Sequence, residues 1–328
     1  LPDSIALIGG ETLLGREVRD VFSESSLGSE LRLIAADDEE SGKLVALDGA
    51  AAFLAKLDPD SVEDAEVVVL SGSAKSSREA IAANPSGLVV DLTYLTEDDP
   101  DARVRAPQVE GLDYQPDHSG PQVVAHPAAV AIALVLDRLN RLAPVSASVI
   151  HIFEPASERG KAGIDELQQQ TVGLLAFKDM PKKVFDAQLS FTMLPQYGEA
   201  AEVKLHEVEE RIERHLATLL DRPEGAPMPS IRLIQSPVFH GYSFSLWIEF
   251  EDAPPIPELE EALLGDHMDV RGGDLEPPTN LSVAGQSGIA VGSITPDRNN
   301  GNAVWLWMAA DNFRLPAETA ALIVKEYL

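Results

Sequence analysis

The chain has 328 residues, a formal charge of −29 and no cysteine. The missing sulfur excludes disulfide scaffolds, thiolate metal centres and cysteine nucleophiles, and the acidic surface argues against binding phosphate backbones, so no nucleic-acid partner is expected. With 45% hydrophobic and 24% charged residues, the composition is that of a folded protein long enough for two cores.

The opening Leu1-Pro2-Asp3-Ser4 has neither a basic leader nor a long apolar stretch. The most apolar run, 123–136, is broken by His126-Pro127 and is too short to span a bilayer, so no membrane partner and a cytoplasmic location are expected. Ile5-Ala6-Leu7-Ile8 reads as a buried strand that runs into Gly9-Gly10 and a helix through Val21. Further strands are predicted at 31–36, 66–70, 88–91 and 123–125, with a helix over 74–84. Continuous apolar strands alternating with helices predict an α/β fold whose N-terminal part is a Rossmann-like, doubly wound parallel sheet.

After Pro127 the texture changes. Helices are predicted at 128–142, 161–175 and 202–220, the last with Val208, Ile212, Leu216 and Leu219 on one face. Strands are predicted at 145–154, within 231–250, at 289–294 and at 303–309; Tyr242, Phe244, Leu246, Ile248 and Phe250 share one face. Long strands with fewer helices indicate an α+β second domain with a mixed or antiparallel sheet. Pro316 opens a last helix.

The loop Gly9-Gly10-Glu11-Thr12-Leu13-Leu14-Gly15 lies where a dinucleotide pyrophosphate would sit. Glu11 is the difficulty. A like charge at about 4 Å costs roughly 1 kcal/mol in water and about 4 at an effective dielectric near 20, so an inward Glu11 would weaken binding several hundred-fold. A tight strand-to-helix turn without a ligand accounts for the same residues. Asp37, heading Asp37-Asp38-Glu39-Glu40, stands where a carboxylate can hold a ribose 2′-hydroxyl, or it begins a solvated acidic turn. Four acids would reject a 2′-phosphate, so NAD is the dinucleotide allowed and NADP is disfavoured.

The seven histidines form no HExxH pair, and no GxSxG elbow is present, so no metal site and no serine hydrolase are expected. His206 and His215, in the acidic helix, read as surface residues, and His240, on the apolar face of Tyr242 and Phe244, as a core histidine.

Gly160-Lys161-Ala162-Gly163-Ile164-Asp165-Glu166-Leu167, Gln170-Thr171, Pro237-Val238-Phe239 before Gly241, Pro278-Thr279, Val291-Gly292 and Ala310-Asp311-Asn312-Phe313-Arg314 are together specific. Through them the chain resembles the aspartate-semialdehyde dehydrogenase family over nearly its whole length. The resemblance implies reduction of an aspartyl phosphate with NADPH, through a cysteine at a helix start and a histidine that moves protons. It implies a first domain of 1–127 plus 312–328, its C-terminal helix returning to the N-terminal sheet, and a dimerisation and substrate domain of 128–311. It also sets Asn312 among the cofactor contacts.

The residues at the family's reactive positions differ. His126-Pro127-Ala128-Ala129 matches the cysteine segment, which puts Ala129 at the nucleophile position. Tyr242 stands at the histidine, with His240 two residues earlier, and Glu154 stands at the active-site glutamine. Glu97 replaces a phosphate-binding arginine, and the stretch 36–40 replaces the pair that holds a 2′-phosphate. Lys204 and Arg211 only partly represent the substrate-helix basic residues. This pattern resembles the cysteine-lacking paralogues called Usg proteins. It implies a catalytically inactive homologue acting as a homodimer through the second domain's sheet, with Trp305, Trp307 and the exposed face of 242–250 serving either as contacts or, equally, in core packing, and a small-molecule ligand in the interdomain cleft left open. The alternative is a repurposed NAD-dependent oxidoreductase that exchanges hydride without a covalent intermediate, with Glu154, His240 or Tyr242 as the acid.

Overall fold

Short aliphatic runs, buried on both faces, build the first unit. The structure, a computed structural model, describes residues 5–28, 31–36, 41–47, 50–111, 114–273 and 275–328. Asp37 and the rest of the acidic run lie outside them. Contacts divide the chain into two compact units, Leu1–Ala125 with Pro316–Leu328, and His126–Leu315. The boundaries expected from the resemblance are 127/128 and 311/312. Asp311 lies in the second unit as that division has it, and Asn312 lies there with it; their side chains are hydrogen-bonded to Ser157, Glu158, His240 and Gly241.

In the first unit, β1 (Ile5–Ile8) leads to α1 (Leu13–Glu24) and β2 (Leu31–Ile34). A small hairpin follows, β3 (Leu44–Leu47) with β4 (Ala50–Phe53), then a short α2 (Pro59–Glu63). β5 (Val67–Leu70), α3 (Ala74–Ala82), β6 (Leu88–Asp91), β7 (Arg103–Arg105) and β8 (Gln122–Val124) complete the unit up to Ala125. The six main strands are all parallel in the order β2-β1-β5-β6-β8-β7. The chain reverses direction across the sheet between β1 and β5, the switch point where ligands bind in folds of this kind.

The second unit opens with α4 (Pro127–Leu142), apolar nearly all round and buried over most of its length. β9 (Val145–Glu154) follows, then a 3-10 turn at Ala156–Arg159 and α5 (Gly160–Leu175). α6 (Leu205–Leu220), β10 (Ser230–Gln235), β11 (Tyr242–Phe250), α7 (Ile256–Leu263), β12 (Met268–Arg271), β13 (Ile289–Pro296) and β14 (Ala303–Ala310) complete it. The sheet is mixed, in the order β10-β9-β11-β14-β13-β12, with β10/β9 and β12/β13 parallel and the inner pairs antiparallel.

Of the two roles open to the period-2 face of β11, the structure shows core packing: Tyr242, Phe244, Leu246 and Ile248 have no accessible surface. α4 and α6 supply the apolar cover on the helical side of this unit. The opposite face carries Trp247, Trp305 and Trp307, and Trp305 is 38% exposed.

α8 (Arg314–Tyr327) starts two residues before Pro316, because Asp311 Oδ1 accepts the amides of Phe313 (2.8 Å) and Arg314 (2.9 Å). Its Ala317, Ala320, Ala321, Ile323 and Val324 pack into the core of the first unit with Leu7, Phe22 and Val69. Its end is held by Arg105, a fully buried guanidinium bonded to both oxygens of Glu110 (2.8 and 2.7 Å), to Gln122 (3.2 Å) and to Glu326 (2.7 Å).

Candidate functional site

In the first unit the loop after β1 is built by close backbone approaches. Gly9 has φ +85°, and a Cβ there would overlap Gly72 Cα; a Cβ on Gly15 would overlap the Gly9 carbonyl. Thr12 caps α1: its hydroxyl accepts from Gly15 N (2.9 Å) and lies 2.8 Å from Ser71 O and 2.9 Å from Gly9 O. The strand-to-helix packing therefore accounts for these glycines by itself. The first-turn amides of Leu13 and Leu14 have no carbonyl one turn earlier within the helix, which is the ordinary basis of anion binding at such an end. Glu11 neither points at the loop nor stands free in solvent. It is tied to Arg16 (2.9 Å) and Arg19 (2.7 Å) on α1, and these two cations offset its charge. Glu97 lies in the turn after β6, which Asp91 organises by accepting from the amides and hydroxyls of Thr93 and Thr96 (2.7–2.8 Å).

In the second unit Ala129 is fully buried in the first turn of α4. His126 caps that helix with Nδ1 accepting from Ala128 N (3.2 Å), and its own amide donates to His215 Nδ1 (2.9 Å). His215 is thus a buried residue, not the surface one expected: it follows Ile212 by three positions and shares its apolar face. His126 meets Tyr242 edge-on, with ring centroids 6.1 Å apart. Lys204 does not extend a basic surface from α6; its ammonium is bonded to the carbonyls of Glu199 (2.6 Å) and Ala201 (2.8 Å) just before that helix.

Glu154, at the end of β9, has no exposed surface. Its Oε1 accepts from Arg159 (2.6 Å), and its Oε2 lies 3.1 Å from the Tyr197 hydroxyl, which is 2.5 Å from Gln235 Oε1. Burial, the largest single influence, would lower the Arg159 pKa, but Glu154, Tyr197, Glu158 and Tyr242 together outweigh it and raise it. Burial and Glu154 together raise the Tyr197 hydroxyl well above the usual phenol range. Glu158 is pushed up to about 7 by burial and by Glu154, against the opposing pull of Arg159, Asn312 and His240.

His240 is not on the β11 face; it precedes Gly241, whose φ is +82°, in the loop before that strand. Its Nε2 is 2.8 Å from Asp311 Oδ2, its Nδ1 is 3.3 Å from Ser157 Oγ, and its ring lies 5.2 Å from that of Phe313. Burial would raise the Asp311 pKa, but His240 and the amides of Arg314 and Gly285 together keep it below the usual carboxylate range. Asn312 uses every polar atom of its side chain inside this unit. Oδ1 accepts from Gly241 N (3.0 Å) and Ser157 Oγ (3.2 Å), and Nδ2 donates to Glu158 (2.9 Å). Ser157, Glu158, Arg159 and Asp311 were not singled out as site residues from sequence, although Asp311 lay inside a quoted motif. The structure brings Glu154, His240 and Asn312 into one network through them. Among the described residues no cluster of histidines and carboxylates suits a metal ion, and no helix is long and apolar enough to cross a membrane.

A family model described as semialdehyde dehydrogenase, dimerisation domain, matches residues 136–315, more than half of the chain. The chain belongs to the semialdehyde dehydrogenase family. Over 99% of its length it is 26% identical to an aspartate-semialdehyde dehydrogenase of Rickettsia bellii, of which 98% is covered. It is equally, 26%, identical to a USG-1 protein homologue of Azotobacter vinelandii, with 99% of this chain and 97% of that one aligned. The fold of a probable aspartate-semialdehyde dehydrogenase from Pseudomonas aeruginosa superposes with a TM-score of 0.85 at 23% identity, each chain covered completely. Within this semialdehyde dehydrogenase family member, the motif residues Glu166 and Gln170 have structural partners. Glu166 accepts the amides of Lys183 (2.6 Å), Val184 (2.8 Å) and Phe185 (3.2 Å), and Gln170 Oε1 those of Leu189 (2.7 Å) and Ser190 (3.1 Å).

Proposed function

We propose that this semialdehyde dehydrogenase family protein does not carry out thioester chemistry and acts as a homodimeric binding or structural protein of the Usg kind. The observation that carries the reading is Ala129. It occupies the first turn of α4, where a helix N-terminus would activate a thiol, and the chain holds no cysteine. A methyl group cannot attack a carbonyl. Tyr242 is fully buried, and Glu154 is closed off by Arg159 and Tyr197, so neither meets solvent as a proton-transfer group. The tryptophan-bearing face of the second sheet, in the part of the chain matching a dimerisation domain, is the surface proposed for the partner copy.

The repurposed oxidoreductase remains the second reading. Glu11, paired with Arg16 and Arg19, no longer opposes a pyrophosphate at Leu13 and Leu14, and NAD remains the dinucleotide of choice. One set of measurements on pure protein separates the two. Oxidation of aspartate semialdehyde with phosphate and NAD or NADP is expected to equal a heat-killed control, and to stay there in Ala129→Cys, because Tyr242 cannot take the histidine's part. Turnover by the unaltered chain would overturn the first reading. Calorimetric titration with NAD up to about millimolar concentration tests the second, and absence of heat ends it.

A further inference from the structure

Ser157 is a buried hydroxyl with two acceptors and one hydrogen. Its Oγ is 3.3 Å from His240 Nδ1 and 3.2 Å from Asn312 Oδ1, and the residue has no exposed surface, so water does not supply a third choice. The partners on either side fix what each choice means. Asp311 Oδ2 also accepts from Gly285 N (2.7 Å), so it is the acceptor for His240 Nε2–H. With His240 neutral, Nδ1 is bare and takes the Ser157 hydrogen. With His240 protonated, Nδ1–H donates to Ser157 Oγ, and the hydroxyl hydrogen turns to Asn312 Oδ1. That oxygen has a second lone pair beside its bond from Gly241 N. Rotation about one C–O bond therefore keeps every partner satisfied in both states.

We propose that Asp311, His240, Ser157, Asn312 and Glu158 form a pH-responsive chain in which the Ser157 hydroxyl turns between His240 and Asn312 as protons enter and leave. When the hydroxyl points at Asn312 it polarises that amide and strengthens its Nδ2–H bond to Glu158, so charge at the His240 end favours charge at the Glu158 end. The groups facing Glu158 are Glu154 from β9, Arg159 from its own turn, Asn312 from the segment after β14 and His240 from the loop before β11; Tyr197 and Tyr242 face Arg159. Burial, with the Glu154 carboxylate close by, is why Glu158 retains a proton near neutrality although Arg159 pulls the other way. The chain also reaches the 279–286 loop, since Asp311 holds Gly285 N and Asn280 holds the His240 carbonyl (3.0 Å).

The sign follows from Glu158, whose folded-state pKa of about 7 is above the ordinary carboxyl value of 4.5. Its favourable contribution is complete below the unfolded value and is lost as pH rises through 7. Urea unfolding of the full chain, followed by tryptophan fluorescence, reports on the second unit because Trp247, Trp305 and Trp307 all lie there. Between about pH 5 and pH 8 the unfolding constant should rise roughly a hundredfold more in the wild type than in Glu158→Gln. His240→Gln should move the midpoint of that pH profile further in the wild type and in Ser157→Thr than in Ser157→Ala, where only the direct pull of His240 on Glu158 is left to lose. In the unaltered protein, whatever the variants do, infrared spectra should show a protonated carboxyl at about pH 6 that disappears by about pH 8. Parallel profiles for wild type and Glu158→Gln, absence of that band, or an equal His240→Gln shift with and without the Ser157 hydroxyl would each overturn the proposal.

Discussion

Arg159 reaches back five residues to a carboxyl with no exposed surface, a geometry set by the 3-10 turn between β9 and α5. Removing one partner of such a pair leaves the other buried without compensation, at a cost of about 3–5 kcal/mol, whereas neutralising both is much milder. Arg159→Met is therefore expected to lose about that much in urea unfolding at neutral pH, and Glu154→Gln in the same background should recover most of it. Simple addition of the two single effects would show that the pair is not coupled. At this scale the sequence was only partly legible. Family position singled out Ala129, Glu154 and Tyr242, but adjacent Glu158-Arg159 beside a motif glycine reads as an exposed turn, and nothing in the one-dimensional order tells which carboxyl the arginine will meet. The burial of His215 is legible in the sequence. Its spacing from Val208, Ile212 and Leu219 puts it on the apolar stripe, and the abundance of charge around it on α6 concealed that.

Among the elements, α5 is the organiser of an irregular neighbour. Glu166 and Gln170 stand one helical turn apart and together accept five backbone amides from 183–190, a segment with no regular partner strand. Glu166→Ala strands three of those donors, at about 3 kcal/mol or more by the ordinary cost of buried unmet amides. Hydrogen exchange should quicken at Lys183, Val184 and Phe185 while Leu189 and Ser190 stay protected; uniform loss of protection would mean that the two side chains do not act on separate stretches. The buried parallel strands were legible because they are continuous aliphatic runs. The hairpin of β3 and β4 was not read, since Leu44–Phe53 is rich in alanine, although the Asp48-Gly49 pair in its sequence is a hairpin signal. β7 escaped as well: Arg103-Val104-Arg105 looks exposed until Glu110, Gln122 and Glu326 are found around Arg105.

For the molecule as a whole, a formal charge of −29 works against compaction through self-repulsion. Raising sodium chloride from about 0.05 M to 1 M shortens the screening length to about 3 Å and should raise the urea midpoint, with most of the gain below about 0.3 M. A midpoint indifferent to salt would mean that the acids are already neutralised locally, as Glu11 is by its two arginines. The overall plan, a parallel sheet followed by a mixed one, was legible from strand length and alternation together with the resemblance. The exact return point at Pro316 was less so, because Asn312 takes its partners from the second unit.

That division has a consequence for how the polypeptide is made. Ile323 and Val324 belong to the core that β1 and β5 begin, so the first-translated sheet lacks part of its apolar cover until the 190 residues of 126–315 have left the ribosome. The later-synthesised body is in a position to close before the earlier one, and the nascent N-terminal half has to wait with part of its apolar surface uncovered until the tail arrives.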